Sequence, residues 1–210
     1  MSAESSNKKT KNKKPLKFNI ITIGNGHVGK TSLIIRFCED TFSLNYLQTV
    51  GIDTKFKKVK SKDGVEIKIQ ITDTAGQERF KSLSPLYFKK VDGILFVYDI
   101  TDEESFKGLD NWILTTKNEA ENKRYFSIII GNKSDLEEKR AVSSEKGKEF
   151  ADQNGFHFYE TSCKTGENVN KAFMDLVKQI YAENFMEDTN NDEIKIEKVE
   201  VNETEKKKCC

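Results

Sequence analysis

A glycine-rich segment at residues 24–31 constrains the fold of this 210-residue chain more than any other feature. It reads Gly-Asn-Gly-His-Val-Gly-Lys-Thr and follows the apolar run at residues 18–23, which predicts a buried strand. Leu33, Ile34 and Phe37 continue after it at helical spacing, so the segment joins a strand to the beginning of a helix. Because free backbone N–H groups and the helix dipole favour anions there, we expect phosphate groups to bind.

The last side chains of this segment suit a triphosphate and its magnesium ion. Lys30 is long enough to reach the β and γ phosphates, and the hydroxyl of Thr31 suits a hard Mg²⁺ ion. The simpler alternative is an ordinary glycine turn before a helix, with its lysine in solvent. Two further motifs, at residues 73–77 and 132–135, weigh against that alternative.

The motif Asn-Lys-Ser-Asp at residues 132–135 predicts which base the nucleotide carries. It follows a second apolar run, residues 126–130, and so emerges from the carboxyl end of a buried strand. Ligands of open α/β sheets bind outside that edge. A carboxylate such as Asp135 accepts two hydrogen bonds from N1 and N2 of guanine, whereas adenine offers no matching donors. The motif therefore favours GTP over ATP.

The predicted elements alternate along the chain in the manner of an α/β fold. Asp63-Gly64 is a strong hairpin signal between the second and third strands. The alternation predicts a mixed, mostly parallel six-stranded sheet with helices on both faces. The predicted strands are 17–23, 53–60, 65–72, 93–99, 125–131 and 156–161, and the predicted helices are 30–38, 81–90, 103–119, 143–153 and 168–183.

With the motifs in this order, residues 17–181 resemble Ras-superfamily small GTPases. The resemblance implies the P-loop NTPase G-domain fold, bound GTP or GDP, and Mg²⁺ as cofactor. It also implies hydrolysis of GTP to GDP and phosphate, with Lys30 and Gln77 as the catalytic residues. Lys30 would lie on the phosphates, Gln77 would orient the attacking water, and Gly76 would sense the γ phosphate.

The same resemblance implies the remaining contacts to the nucleotide and the metal ion. Thr31 and Thr49 would hold Mg²⁺, and Asp73 would hold it through water. Phe42 would lie at the edge of the guanine ring, and Cys163 stands where the family has alanine in the loop behind the base. The implied nucleotide contacts are Gly24, Gly26, His27, Val28, Gly29, Lys30, Thr31, Ser32, Phe42, Thr49, Gly76, Asn132, Lys133, Asp135, Ser162, Cys163 and Lys164.

Within the superfamily, Rab proteins are the most similar, on the sequences at residues 49–53, 73–80, 93–101 and 160–162. The chain also ends in Cys209-Cys210, which in a Rab-like protein implies a geranylgeranyl group on each cysteine. The resemblance implies a regulator of vesicle trafficking on the cytoplasmic face of an intracellular membrane, cycling with the cytosol. Its implied partners are a guanine nucleotide exchange factor, a GTPase-activating protein that speeds slow hydrolysis, a GDP-dissociation inhibitor or escort protein, effectors at the switch regions, and the membrane through prenyl groups.

The departure from the Rab pattern falls on the effector face. Rab proteins present an aromatic triad there, but Thr54 and Thr72 occupy two of its positions and only Tyr87 remains aromatic. We therefore expect a less apolar effector face. Because desolvated aromatic anchors carry much of an interface's energy, the effectors of relatives do not transfer to this chain.

Two other classes of function remain open on the sequence. One is a module that binds GTP or GDP without useful turnover, which Gly26 and Gln77 oppose. The other is an ATP-dependent kinase with a P-loop. Residues 132–135 oppose the kinase, which would also need a lid and a substrate base that we do not find in the sequence.

The two ends of the chain carry opposite charges. Residues 1–17 contain six lysines against one acid, and residues 183–210 contain nine acids against five lysines. We expect residues 1–16 to be a disordered basic extension, 17–182 to form the G domain, and 183–210 to be a flexible tether. The nearly neutral middle, without a recognised nucleic-acid module, argues against nucleic-acid binding. No stretch has the apolar length of a signal peptide or a membrane span.

Five remaining residues have simpler interpretations. Cys38 and Cys163 are too scattered for a disulfide framework or a zinc site, which fits a reducing cytosol. Trp112 lies at helical spacing with apolar neighbours and is predicted to pack on a helix face. His157 is predicted to be structural rather than catalytic. His27 either lies beside the phosphates, as a group that gains a proton there, or points to solvent.

Overall fold

A computed structural model describes residues 15–43, 52–61, 64–74, 88–120, 123–185 and 196–197. Most of both charged ends and residues 81–87 of the predicted helix 81–90 lie outside these ranges. So do six residues to which the sequence assigns a role, namely Thr49, Gly76, Gln77, Tyr87, Cys209 and Cys210.

Strands and helices alternate through the described ranges. The strands are β1 Leu16–Ile23, β2 Ile52–Ser61, β3 Glu66–Thr74, β4 Gly93–Asp99, β5 Phe126–Asn132, β6 His157–Thr161 and β7 Ile196–Glu197. The helices are α1 Lys30–Glu39, α2 Glu103–Glu119, α3 Ser144–Gln153 and α4 Val169–Phe185, with a 3₁₀ helix at Ser134–Lys139. Within the described ranges, no helix combines the length and apolar composition that crossing a bilayer requires.

All these strands belong to one sheet, in the order β6-β5-β4-β1-β3-β2-β7. The five strands from β6 to β3 in that order run parallel. β2 is antiparallel to β3, and β7 is antiparallel to β2. The predicted α/β class and the mixed, mostly parallel six-stranded sheet are confirmed, and β7 adds a short seventh strand.

Apolar side chains bury both faces of the sheet, as the prediction of helices on both faces requires. One cluster packs α1 and α4 against the sheet. In this cluster the ring of Phe37 stacks on the ring of Phe173, with centroids 4.1 Å apart. The other cluster packs α2 and the Phe88–Val91 region against the opposite face. Two buried layers hold the parallel strands rigidly, so the loops at their carboxyl ends stand on a fixed base.

The structure differs from the sequence prediction at the end of the domain. α4 continues to Phe185, past the boundary predicted at residue 182, and an ion pair between Arg124 and Glu183 links its last turn to the segment before β5. β7 lies within the stretch 183–210, where no folded element is predicted. A two-residue strand leaves no periodic pattern, because it forms only where a neighbouring strand offers an open edge.

Candidate nucleotide site

The residues with predicted nucleotide roles meet at the carboxyl edge of the parallel strands. β1 leads into the glycine-rich loop, β3 carries Asp73, β5 ends at Asn132, and β6 leads to Ser162. His157 lies at the other end, because it begins β6. Its Nδ1 atom is 2.6 Å from Asp175 Oδ2 on α4, as the structural interpretation expects.

Two glycines let the glycine-rich loop pass close to other backbone and side-chain atoms. Gly24 has φ +152°, and a Cβ atom there would lie 2.1 Å from the carbonyl oxygen of Val97. Gly29 has φ +94°, and its Cβ would lie 2.4 Å from Asn132 Nδ2. His27 also adopts a left-handed conformation, with φ +63°, which a residue with a Cβ rarely adopts. Glycine at positions 24 and 29 therefore lets the loop adopt this shape without a steric clash, whereas His27 adopts a left-handed conformation that residues with a Cβ atom rarely occupy.

The first turn of α1 is capped differently from those of α2 and α3. The side chains of Asp102 and Ser143 accept hydrogen bonds from backbone N–H groups in the first turns of α2 and α3. Gly29 caps α1 and supplies no side-chain hydrogen bond, and the first turn contains no acidic residue. The beginning of α1 thus suits an anion, as predicted for the phosphates.

The side chain of Asn132 joins three loops of the site. Its Nδ2 donates to the carbonyl oxygen of Val28 at 2.8 Å, which ties β5 to the glycine-rich loop. Its Oδ1 accepts from Thr161 Oγ1 at 3.1 Å and from Cys163 Sγ at 3.4 Å. Asn132 is almost fully buried, and a buried polar side chain whose groups are all bonded fixes the geometry around it. The sequence motif places Asn132 at the site but does not predict this bridging contact.

Lys30 is buried beneath the glycine-rich loop. Its Nζ donates to the carbonyl oxygens of Gly24 and Asn25, at 2.9 and 2.7 Å. Burial lowers the pKa of Lys30 to about 8, and the negative charge of Asp73 opposes that shift. A buried ammonium group that donates to neutral carbonyls gains from an incoming anion.

Thr31 and Asp73 place two kinds of oxygen side by side. The Thr31 hydroxyl donates to Asp73 Oδ2 at 2.6 Å, and Asp73 is buried. A hydroxyl beside a carboxylate is a donor set that Mg²⁺ accepts, usually completed by water and substrate phosphates. Among the residues that the structure describes, no group of three or more His, Cys, Asp or Glu residues is placed to enclose a metal ion by itself. The residues present therefore fit Mg²⁺ as the resemblance implies it.

The loops predicted to hold the base are joined by Asp135 and Ser162. Ser162 Oγ donates to Asp135 Oδ1 at 2.6 Å and accepts from the backbone N–H of Thr165 at 3.1 Å. This contact orients a carboxylate that is otherwise exposed. Burial raises the pKa of Cys163 to about 11, so its side chain is a neutral thiol at the alanine position of the family.

Arg36 is a site-supporting residue that the sequence analysis missed. Arg36 lies on α1, and its Nε donates to the carbonyl oxygen of Cys163 at 2.7 Å. Its Nη2 donates to the carbonyl oxygen of Lys164 at 2.9 Å, while the side chain of Lys164 is exposed. No sequence motif marks Arg36, because these two contacts join residues more than a hundred positions apart in the chain.

Lys133 and Trp112 also have partners that sequence spacing does not reveal. Lys133 Nζ lies 2.6 Å from Asp99 Oδ2, so a carboxylate at the end of β4 holds its side chain. Trp112 packs on a helix face as predicted, against the cluster of α2. Its Nε1 also donates to Asn25 Oδ1 at 2.8 Å, across to the glycine-rich loop. α2 passes close at this point, because a Cβ on Gly108 would lie 2.9 Å from the same Asn25 oxygen.

The other predicted residues are placed as follows. Ser32 lies half-buried in the first turn of α1, and Phe42 is half-buried against the core cluster of α1 and α4. Thr54 on β2 and Thr72 on β3 are directly opposite each other, so the two threonines occupy neighbouring positions on the sheet. Thr72 is buried and Thr54 half-buried.

Comparison with known proteins identifies the class. The Ras family model matches residues 19–182, most of the chain. The chain is a Rab-type small GTPase of the Ras family. It is 42% identical over 200 residues to Ras-related protein RABE1e of Arabidopsis thaliana, covering 91% of both chains. It is 45% identical over 163 residues to Ras-related protein Rab-13 of Canis lupus familiaris, covering 78% of this chain and 79% of that protein.

A third relative matches over a similar share of the chain. The chain is 43% identical over 163 residues to GTP-binding protein YPT1 of Saccharomyces cerevisiae, covering 78% of each chain. As a member of this family the GTPase binds GTP and GDP and hydrolyses GTP, which confirms the predicted activity and rejects the kinase alternative.

Proposed function

We propose that this Rab-type GTPase is a molecular switch that cycles on and off a membrane and regulates vesicle trafficking. The observation that carries the nucleotide half of the proposal is the side chain of Asn132. It bonds at once to the phosphate-side loop at Val28 and to the base-side loop at Cys163. One buried side chain thus sets the spacing between the parts of the pocket that would hold the two ends of GTP.

The phosphates would bind between Lys30 and the beginning of α1. The Lys30 ammonium group would exchange its carbonyl partners for phosphate oxygens, which are charged and hydrogen-bond more strongly. The backbone N–H groups of the glycine-rich loop would complete the cradle. At the other end, Asp135, oriented by Ser162, would accept hydrogen bonds from the guanine base.

Hydrolysis requires positioning and charge neutralisation rather than covalent participation by the protein. Thr31, Thr49 and Asp73 would hold Mg²⁺, which neutralises charge on the β and γ phosphates when it is bound. Gln77 would orient the attacking water, and Gly76 and Thr49 would order their loops on the γ phosphate and release them after its loss. Residues 40–53 contain no arginine that could supply a further positive charge, so we infer that an activating protein supplies it.

Partners would follow the nucleotide state. An exchange factor would release GDP, and a GDP-dissociation inhibitor or escort protein would cover the lipids in the cytosol. Effectors would bind the loops that change with the γ phosphate. Because Thr54 and Thr72 stand side by side where Rab proteins have aromatic residues, those effectors would make more polar contacts there.

Cys209 and Cys210 would anchor the protein through two geranylgeranyl groups. One lipid chain gives only marginal, reversible binding to a bilayer, whereas two hold a protein there. Lys206, Lys207 and Lys208 precede the cysteines and would add attraction to an anionic leaflet of about 1 kcal/mol each.

A single-turnover phosphate-release assay tests the nucleotide half of the proposal. The full-length protein is loaded with GTP or ATP, with and without Mg²⁺. We expect phosphate release from GTP that depends on Mg²⁺, and none from ATP. Release from ATP at a similar rate would contradict the assignment of Asp135, and tight GTP binding without release would support a binding module instead.

Membrane fractionation and intact mass test the lipid half. The wild-type protein expressed in cells is compared with Cys209→Ser/Cys210→Ser. We expect the wild type to carry the mass of two isoprenoid groups and to divide between membrane and cytosol, and the variant to stay in the cytosol. If the two proteins fractionate alike and the wild type carries no added mass, the membrane half of the proposal fails.

A further inference from the structure

The tail of this chain returns to the sheet at the outer edge of β2. β7 pairs antiparallel with β2, with Ile196 opposite Ser61 and Glu197 opposite Lys60. In the order of the sheet, β2 would be the outermost strand without β7. An outermost strand presents unpaired backbone groups that accept a further strand. The contact lies at the carboxyl end of β2, beside the turn that leads into β3.

The hydrogen bonds of the hairpin show which groups of β2 face β7. Ser61 donates its backbone N–H to Val65 O at 3.0 Å and accepts from Gly64 N–H at 3.0 Å. Both groups of Ser61 therefore turn inward, toward β3. Successive residues of a strand turn their backbone groups to alternate sides, so the N–H and C=O of Lys60 turn outward. Lys60 and Glu197 are then the pair that exchanges backbone hydrogen bonds.

The charge of this region favours an acidic strand. Lys58, Lys68 and Lys17 lie opposite one another on three adjacent strands, and all three are exposed. Like charges directly opposite one another destabilise a sheet, so this row of lysines favours negative charge nearby. One lysine of the row, Lys58, is 3.2 Å from Glu66, and another, Lys68, lies over the ring of Phe56. The stretch 183–210, with nine acids and five lysines, has the opposite charge.

We propose that the β2 edge is a docking site for the chain's own acidic C-terminal segment, which adds to the sheet as an antiparallel strand at Glu197. Ten residues separate the end of α4 from β7, and an extended chain of that length spans about 35 Å. Because the segment is tethered, it competes at an effective concentration near the millimolar range, so a short pairing suffices to occupy the edge.

Docking has a consequence for partner binding. β2 also carries Thr54, on the face that Rab proteins offer to effectors. A partner strand that extends along β2 as far as Lys60 and Ser61 would displace β7. This consequence would be coupled to membrane attachment only if Cys209 and Cys210 are prenylated, as proposed above.

Hydrogen exchange in the full-length, GDP-bound protein tests the pairing. Glu197→Pro removes the backbone N–H that bonds to Lys60 and fixes a backbone that cannot continue the ladder. Glu193→Pro is the matched control, because it makes the same chemical change in the same tail. In the register of β7, Glu193 falls beyond Ser61, where β2 ends. The readouts are the exchange rates of the Lys60 and Ser61 amides, resolved by NMR.

We expect Glu197→Pro to speed exchange at the Lys60 amide by roughly fivefold, as for a marginal edge contact, and Glu193→Pro to leave it unchanged. The Ser61 amide should exchange at the wild-type rate in both variants, because its bond to Val65 lies within the hairpin. Equal Lys60 exchange in all three proteins would overturn the proposal. Equal acceleration by both variants, or acceleration at Ser61 as well, would also count against it.

Discussion

Thr72 and Asp73 are neighbours on β3, yet they belong to two regions built in different ways. The side chain of Asp73 faces the glycine-rich loop and bonds to Thr31 at 2.6 Å. Thr72 turns to the other face of the sheet, opposite Thr54 on β2. The alternation of a strand separates a region of buried, mutually bonded polar groups from an outer hairpin rich in lysine.

The difference shows which region has room to change. At the carboxyl edge, Asn132 and Ser162 bond to other loops and Lys30 bonds to the backbone of its own glycine-rich loop, so replacing one of them leaves partners unsatisfied. On the outer hairpin, two residues of the usual aromatic triad are threonines, and the fold is still that of the family. We infer that the nucleotide chemistry is held in place by packing while partner choice is set on the hairpin.

A cavity of about 890 Å³ lies beside β1 and β3. It is lined by residues of β1 and β3 and by the segments before β4 and β5, including Lys17, Gln70, Thr72, Lys89 and Asp92. No residue of the glycine-rich loop and none of residues 132–135 line this cavity. Its volume therefore says nothing about the nucleotide, whose proposed binding loops lie at the carboxyl edge.

The largest effect is expected from Lys30→Ala. It removes the cation beneath the glycine-rich loop and with it charge-assisted bonds to the phosphates, worth about 3 kcal/mol or roughly a hundredfold in affinity. Fluorescent GDP titration measures this, with Lys148→Ala on α3 as a control of equal chemistry. Lys148 pairs with Asp152 one turn further along α3 and makes no hydrogen bond to the described site residues. Equal affinity for Lys30→Ala and Lys148→Ala would remove Lys30 from the phosphate site.

Gln77→Leu should separate hydrolysis from binding. Gln77 is proposed to contact the attacking water rather than the ground-state nucleotide, so GTP affinity should hold while the single-turnover rate falls at least about tenfold. The same protein sample gives both measurements. A variant that hydrolyses GTP at the wild-type rate would show that Gln77 has no such role.

A smaller effect is expected from Trp112→Phe, which tests a contact between the α2 helix and the glycine-rich loop. The variant keeps the ring packing but deletes the N–H that donates to Asn25 Oδ1. Loss of one such bond costs about 1 kcal/mol, so GDP release should be roughly fivefold faster.

Asn25→Ala and the double variant complete a cycle for the same contact. If the bond is the reason for the effect, the double variant should release GDP no faster than either single variant. Fully additive rates would mean that Trp112 and Asn25 act separately.

The smallest effect is expected from Thr54→Phe on the outer hairpin. Thr54 is half-buried and opposite Thr72, so a larger ring there meets solvent on one side. GDP affinity should change by less than about twofold, and the free energy of unfolding by about 0.5 kcal/mol or less. A tenfold loss of GDP affinity would show that the outer hairpin and the nucleotide site are coupled.

Much of the fold follows from the sequence because strong periodic signals mark its long elements. The bounds of the comparable strands and helices agree with prediction to within two residues. Residues 93–99 form a strand buried along its whole length, as a continuous apolar run predicts. β7 has no such signal, since its pairing depends on the open edge of β2 rather than on its own two residues.

The site is predictable to a similar depth. The motifs name Lys30, Thr31, Asn132 and Asp135 because phosphate, metal and base chemistry restrict the residue types that serve. Arg36 and Trp112 escape prediction, since they act on backbone or side-chain atoms brought near only by the fold. Cys163 keeps the loop geometry with a thiol that bonds to Asn132, although the family resemblance gives alanine there.

The base preference of Asp135→Asn tests the proposed guanine pocket most directly. In the pocket we describe, the carboxylate accepts from guanine, whereas an amide can donate to the carbonyl that xanthine has in place of the guanine amino group. One misplaced partner costs about 1 to 3 kcal/mol, so competition binding should show weaker GDP and stronger XDP binding, reversing the wild-type preference. An unchanged preference for GDP would contradict the claim that the three loops at the carboxyl edge form one guanine-nucleotide pocket.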